Sequence, residues 1–230
     1  MLIQNLDLRA SQACMLIVLL REAGIDPAWL VVYGSDPRAK YEAAAFIGIP
    51  VSVWKTVLYA ALMGGRIPSL AQAHTSKGTV AEAIREAVEP SEFDATYARF
   101  LDYTAGLRDA LAEWHQWLVD EFAPETARLN NADGKRYVAN AVGAKVALED
   151  LGAKLWKFKA QLAAFLLQGR EAALMHTLAA SADEYGFRVL SLEHDGLVVA
   201  GEVPRAAVEA AARAANVPPE LVILEPKAFG

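Results

Sequence analysis

Short apolar runs that read as strands lie near the two ends of this 230-residue chain. Residues 2–6 are short and apolar and stop at Asp7. After Gly186 the hydrophobic period changes. Residues 187–193 and 197–201 are β-compatible and joined at His194-Asp195-Gly196, a hairpin signal, since Asp-Gly is a favoured two-residue turn. Residues 220–224 form a last strand-length run. Between these ends the period is helical. Residues 10–23 close on Gly24. Residues 36–46 have Asp36 as N-cap and Pro37 at the first helical position, and Gly48 stops them. Pro50 opens a helix that runs to Met63 and stops at Gly64-Gly65. Residues 66–77 read as loop, and 79–88 and 91–122 as helix with breaks at Pro90 and Pro124. Residues 130–134 are a turn cluster, 151–185 mostly one long helix, and Pro204 opens a helix to about Ala215. The expected class is α+β, a small antiparallel sheet from both chain ends with a large helical insertion. No repeat, low-complexity tract or linker divides it, so one domain is expected.

Hydrophobic residues make up 54% and charged residues 22%, a globular composition. The single cysteine, Cys14, excludes an internal disulfide framework and a Cys-based zinc site, and points to a reducing compartment, the cytoplasm. The longest apolar run, 13–20, is well short of the roughly 18–20 residues a membrane-spanning helix needs, so no membrane partner is expected. Net charge is −6, more acidic than nucleic-acid binders usually are. The charge is segregated, however. Residues 82–125 hold eleven acids against three bases, and residues 135–170 hold seven bases against two acids. Such a pattern builds either one basic face on an acidic protein or a plain solvated helix face. Trp114 and Trp117, three apart on a helix, belong to a core, and so does Trp156, although Trp156 and Tyr137 sit in the basic stretch where nucleic acid would be met. His74, His115 and His176 form no metal-ligand spacing, and no glycine-rich phosphate loop is present.

Three short pieces carry chemistry. Asp7 stands where an apolar strand passes into a helix, so its carboxylate projects at the end of the sheet; a helix-cap or turn Asp reads the same way. Lys55, Tyr59 and Met63 recur every four residues and form one stripe on a helix, able to hold a phosphate and then a sugar or base, or serving as an ordinary amphipathic face with a snorkelling lysine. Asp195, at the tip of a hairpin, is exposed enough to bind metal, and Asp-Gly is also an ordinary turn.

Taken in order, these pieces resemble the palm and fingers of the single-subunit polymerases, the family A DNA polymerases and phage-type RNA polymerases. Asp7 resembles the Asp that ends their first palm strand. Lys55-x3-Tyr59-x3-Met63-Gly64 has the spacing of their fingers helix, and His194-Asp195 resembles their His-Asp hairpin. Gln168-Gly169 in the helix before that hairpin, and the helix and strand after it, agree with the family's C-terminal part. The likeness covers residues 2–65 and 151–225. It implies a palm from 1–9 and 151–230, fingers-like helices over 10–65, and a helical insertion of unassigned role over 66–150. It further implies template-directed nucleotidyl transfer with two divalent ions, Mg²⁺ with Mn²⁺ as the alternate, bridged by Asp7 and Asp195 and a Leu8 carbonyl. Lys55 would neutralise the triphosphate and protonate the leaving pyrophosphate. Tyr59 and Met63, with Gly64 behind them, would floor the nascent pair. Gln168 and His194 would meet the primer end or minor groove, and Arg170, Lys154 and Lys157 the nucleic acid backbone. Gln12, five residues after Asp7 and bulky, leans the sugar choice towards dNTP. Primer–template and nucleoside triphosphates are the implied partners.

The departures matter too. The family's Arg four residues before the fingers Lys is Val51 here, for which Arg38 on the preceding helix is the substitute. Its fingers Tyr is Met63, and the residue after the hairpin Asp is Gly196 rather than Glu or Ser. The family's thumb precedes the first palm strand, and here Asp7 is the seventh residue, so a partner subunit or another segment is expected to supply it. Two competing readings follow. One is an inactive palm-like module that binds nucleic acid or a partner. The other is an unrelated α+β protein, with Asp7 and Asp195 more than about 10 Å apart and unable to share a metal pair.

Overall fold

The computed structural model describes residues 2–122, 135–152, 154–193 and 196–228. The N-terminal strand β1 (Ile3–Leu8) leads into α1 (Ser11–Glu22), α2 (Ala28–Ser35), α3 (Ala39–Ile47) and α4 (Val51–Leu62). A short helix α5 (Leu70–Ala73), then α6 (Val80–Ala87), α7 (Phe93–Tyr103) and α8 (Ala105–Phe122), complete the first helical layer. A small hairpin of β2 (Tyr137–Ala139) and β3 (Lys145–Ala147) precedes the long α9 (Leu155–Ala180) and the single turn α10 (Ala182–Tyr185). The chain ends with β4 (Arg188–Leu192), β5 (Gly196–Ala200), α11 (Arg205–Ala214) and β6 (Leu224–Pro226).

The two ends of the chain meet in one antiparallel sheet of order β4-β5-β1-β6, the α+β class expected. Every residue of α1 from Ser11 to Leu20 is buried. That explains the apolar run at its centre, since a helix apolar on all sides belongs in a core. No single described helix is long and apolar enough to cross a membrane. Trp54 on α4 and Trp114 on α8 are fully buried. Trp54 sits among Tyr33, Phe100 and Tyr103, and its indole N–H donates to the Tyr33 hydroxyl at 3.0 Å. This cluster clamps α4 between α2 and α7.

Several elements depart from the sequence reading, each for a local reason. The helix α2 was missed because Trp29 to Tyr33 is uniformly apolar and carries no helical alternation. The helix expected from Asp36 begins at Ala39, although the Asp36 carboxylate still accepts the Arg38 N–H at 2.8 Å. Residues 66–77 contain α5. The helix expected over 91–122 breaks at Thr104, whose hydroxyl donates back to the Phe100 carbonyl at 2.7 Å and ends α7. The stretch 66–150 is not wholly helical, for β2 and β3 pair around a turn in which the Asn140 side chain accepts the Val142 and Ala144 amides. Ser181 interrupts the last long helix. The final strand starts at Leu224 because Pro219–Leu221 forms a 3-10 turn, and Pro226 is tolerated on the edge strand β6. Trp156 is 62% exposed and not part of the core. The turn expected at 130–134 lies outside the described residues.

Gly64 ends α4 in the left-handed conformation, at φ 81°, where a Cβ would lie 2.7 Å from the Ala160 Cα on α9. Both demands point to glycine. Gly64→Val should destabilise the fold by about 2–4 kcal/mol, the sum of backbone strain and overpacking. Gly34→Ala on α2, with nothing within 4 Å of its Cβ, should be neutral or slightly stabilising. Urea midpoints at unchanged slope would check both, and an unaltered Gly64→Val midpoint would contradict this packing.

Candidate active site

In β1 the Leu6 and Leu8 side chains are buried towards the helices, and Asp7 points to the opposite face of the pleat. Asp7 pairs with Gly196 of β5 on one side and Glu225 of β6 on the other. A Cβ on Gly196 would meet the Leu6 carbonyl oxygen and lie 2.6 Å from an Asp7 carboxylate oxygen, so the glycine lets β5 approach β1 and makes room for that carboxylate. This gives a steric reason for glycine at this position. His194 and Asp195 lie outside the described residues. Their flanks are placed: the Glu193 N–H donates to the Gly196 carbonyl at 2.9 Å, across the end of the β4–β5 hairpin.

The Lys227 ammonium lies 3.0 Å from Asp7 Oδ2 and 3.8 Å from Glu193 Oε2. Its position follows from β6, since the Lys227 amide donates to the Asn5 carbonyl of β1 at 2.8 Å. A cation thus sits between carboxylates contributed by β1 and by the hairpin end. Among the described residues no three His, Cys, Asp or Glu side chains form a metal cluster.

Beside Asp7 opens a cavity of about 280 Å³ between the β1–α1 junction and helices α2, α3 and α4. Asp7, Leu8, Gln12, Lys55 and Tyr59 all line it. The structure brings these five together from residues up to fifty-two apart in the chain. At the β1–α1 junction Ala10 adopts the left-handed conformation, φ 49°, turning the chain abruptly so that Asp7 and Gln12 border the same space. Gln12 is 6% exposed; its amide N–H₂ reaches Glu171 on α9 at 3.5 Å, and its carbonyl oxygen is buried without a partner among the described residues. The Ser11 hydroxyl donates to the same buried Glu171. Lys55 takes part in no ion pair among the described residues.

The other expected residues lie elsewhere. Arg38 points away from the cavity lining and pairs with Glu42 at 3.3 Å on the surface. Met63 is half-buried against the core, and Gly64 borders a separate cleft. Gln168 shares a second groove with Glu193 and Asn140. Arg170 lies on another side of α9, paired to Glu22 at 2.7 Å. Lys154 caps the start of α9, and Lys157 stands 5.6 Å from the Trp156 ring centre.

Sequence reasoning missed Arg9, Lys40 and Glu225, all of which line the cavity. Arg9 was within reach, since it follows β1 directly and stands two residues after Asp7. It lies 3.6 Å from Glu225. Glu225 was lost with the misplaced last strand. Lys40 carries no local signal, because its place depends on how α3 meets α4.

No family model matches the sequence, and no curated protein does. Among solved structures, the chain is similar to the POL domain of Pol1 from M. smegmatis in complex with DNA primer-template and dNTP. The TM-score is 0.50 at 16% identity, over 97% of this chain and 39% of that one. At that identity the likeness speaks for the fold alone, an α+β arrangement with its sheet built from both chain ends. The chain spans well under half the length of that neighbour.

Proposed function

We propose that this chain is a template-directed nucleotidyltransferase that uses dNTP. The observation that carries the reading is the pairing of Asp7 with Gly196 beside a cavity that Lys55, Tyr59 and Gln12 line. Gly196 pairs with Asp7 and Asp195 precedes it in the chain, which supports Asp195 as the second carboxylate. The solved neighbour's complex with primer-template and dNTP supports the same partners here.

The donor set suits a divalent ion. An ammonium already stands between Asp7 and Glu193, which marks the place as favourable to positive charge. Asp7, Asp195 and the Leu8 carbonyl are the groups to hold Mg²⁺ or Mn²⁺. When bound, such ions stabilise negative charge on the attacking and leaving oxygens. Lys55 would hold the triphosphate and offer a proton to the departing pyrophosphate. Besides Lys55, the cations of the cavity are Arg9 and Lys40, not Arg38; Arg9 is paired with Glu225, so Lys40 would take the place expected of an arginine at position 51. Tyr59 would support the base, and Gln12 would border the sugar. Arg170, Lys154 and Lys157 would contact nucleic acid outside the cavity, and a thumb would come from another segment or subunit.

A second reading draws on Lys227. An ammonium that satisfies Asp7 and Glu193 is also what an inactive palm-like module, binding nucleic acid or a partner, would keep in place of metal.

Primer extension with Mg²⁺ or Mn²⁺, using dNTPs and NTPs separately, decides between the readings. On the polymerase reading dNTPs are extended, and Asp7→Asn and Asp195→Asn each lose about 10³-fold or more. Lys227→Ala should then lower the metal concentration needed for half-maximal rate. If neither the parent chain nor Lys227→Ala extends a primer, while the protein still binds it, the module reading stands.

The two candidate cations separate in the same assay. Lys40→Ala should raise the KM for dNTP about tenfold, the size expected for one charged hydrogen bond. Arg38→Ala should leave it within twofold. The reverse order would return the triphosphate contact to Arg38.

A further inference from the structure

A second cleft, of about 330 Å³, lies at the far end of α4, beside Gly64. Its walls are the residues just after α4, the middle of α8 and the first turns of α9. Arg66, Arg108, His115, Trp156 and Lys159 line it, and no carboxylate does. That is unusual for a chain of net charge −6. Arg66, Arg108 and Lys159 form no ion pair among the described residues; Arg66 donates to Gln72 and Arg108 to the Leu101 carbonyl. Two nitrogens in the walls, Arg108 Nε and His115 Nε2, are buried with no hydrogen-bond partner among the described residues. Burial, with the nearby Lys159 charge second, lowers the His115 pKa to about 4, so its ring is neutral near pH 7. At the mouth stands Trp156, 62% exposed, beside Leu155, 58% exposed, two large apolar side chains presented together at the surface.

We infer that this cleft binds one nucleotide of a single strand, its base stacked on Trp156 and its phosphate held by Arg66, Arg108 and Lys159. The chemistry is that of general single-strand sites, cations for the backbone and an aromatic face that accepts any base. Three cations with no carboxylate among the lining residues favour an anionic ligand over an apolar one. A phosphate would meet that charge. A duplex does not fit the requirement, because its bases are stacked on one another and leave no face for Trp156. The site goes beyond the proposed activity, since it asks only that the chain meets unpaired nucleic acid. If that activity holds, the strand is the unpaired template. Cavity and cleft both touch the last turn of α4, Leu62 lining the first and Ala61 the second.

The test is fluorescence anisotropy of a labelled oligothymidylate with the intact chain, without metal or dNTP, over a range of salt. A duplex of equal length and polyglutamate serve as competitors. Oligothymidylate should bind, and Trp156→Ala should weaken it about tenfold. Arg66→Glu with Lys159→Glu should weaken it further and reduce the log–log salt slope by about 0.7 for each phosphate no longer neutralised. Arg213→Glu, on α11 and outside the cleft, should change the affinity less than twofold, and far-UV circular dichroism confirms that each variant is folded. Failure to bind oligothymidylate, equal binding by the cleft variants, preference for the duplex, or equal competition by polyglutamate would each overturn the inference. Primer extension on the same samples keeps the two proposals apart. Cleft-dependent binding without extension leaves the cleft and removes the polymerase; extension with cleft-independent binding does the opposite.

Discussion

The close approach of β5 to β1 at Gly196 is the constraint on which the sheet depends. A side chain at 196 would meet the Leu6 carbonyl and the Asp7 carboxylate at once, so β5 approaches β1 only in the register where glycine stands opposite the acid. Side chains alternate along a strand with period two. A slip of one residue would turn Leu6 and Leu8 out of the core and Asp7 into it, at a large cost in buried apolar area and unpaired charge. Register, hydrophobic burial and the placing of the acid are therefore one condition. The sheet pairs strands from the first eight residues with strands after residue 187, so this condition also closes the chain's ends on each other.

From that sheet, α4 extends as a beam fixed at both ends. Trp54, Val57, Leu58 and Ala61 are buried along one face, with Trp54 clamped by the aromatic cluster. The other end is locked where Gly64 meets Ala160. Lys55 and Tyr59, four apart, are left exposed on a neighbouring face towards the cavity. Rigid support of this kind is what positioned chemistry requires, since small displacements of a charged group lose most of its effect. The same beam ends at the basic cleft, so the two places keep a constant separation.

Some of this was legible in the residues and some was not. The change of period after Gly186 and the stops at Gly24, Gly48 and Gly64 mark real element ends, because these are local conformational demands. Asp7, Gln12, Lys55 and Tyr59 line one cavity. Elements without a local signature were lost: α2 for want of polar punctuation, and β2–β3 because three-residue strands are too short to show a period. Lys40 shows the deeper limit. The helices α3 and α4 meet at 100° across the left-handed Gly48 and Pro50, and that angle, not any motif, sends Lys40 into the cavity and leaves Arg38 with Glu42. His194 and Asp195 were legible as sequence, and their placing lies outside the described residues.

Net charge was the poorest guide, and the reason is geometric. Of the basic stretch, Lys135, Arg136 and Arg170 are matched by Asp150, Glu149 and Glu22, so the segment does not act as one basic face. Of the acidic stretch, Asp109, Glu113 and Asp120 on α8 lie exposed in water. Exposed charges are screened within about 8–10 Å at ordinary ionic strength. Arg108 and His115, on the same helix, are turned inward to the cleft, where screening is weaker. A single helix thus carries acids to solvent and bases to a half-buried site. What a ligand meets in that cleft is the local field of Arg66, Arg108 and Lys159, whatever the sum over the chain.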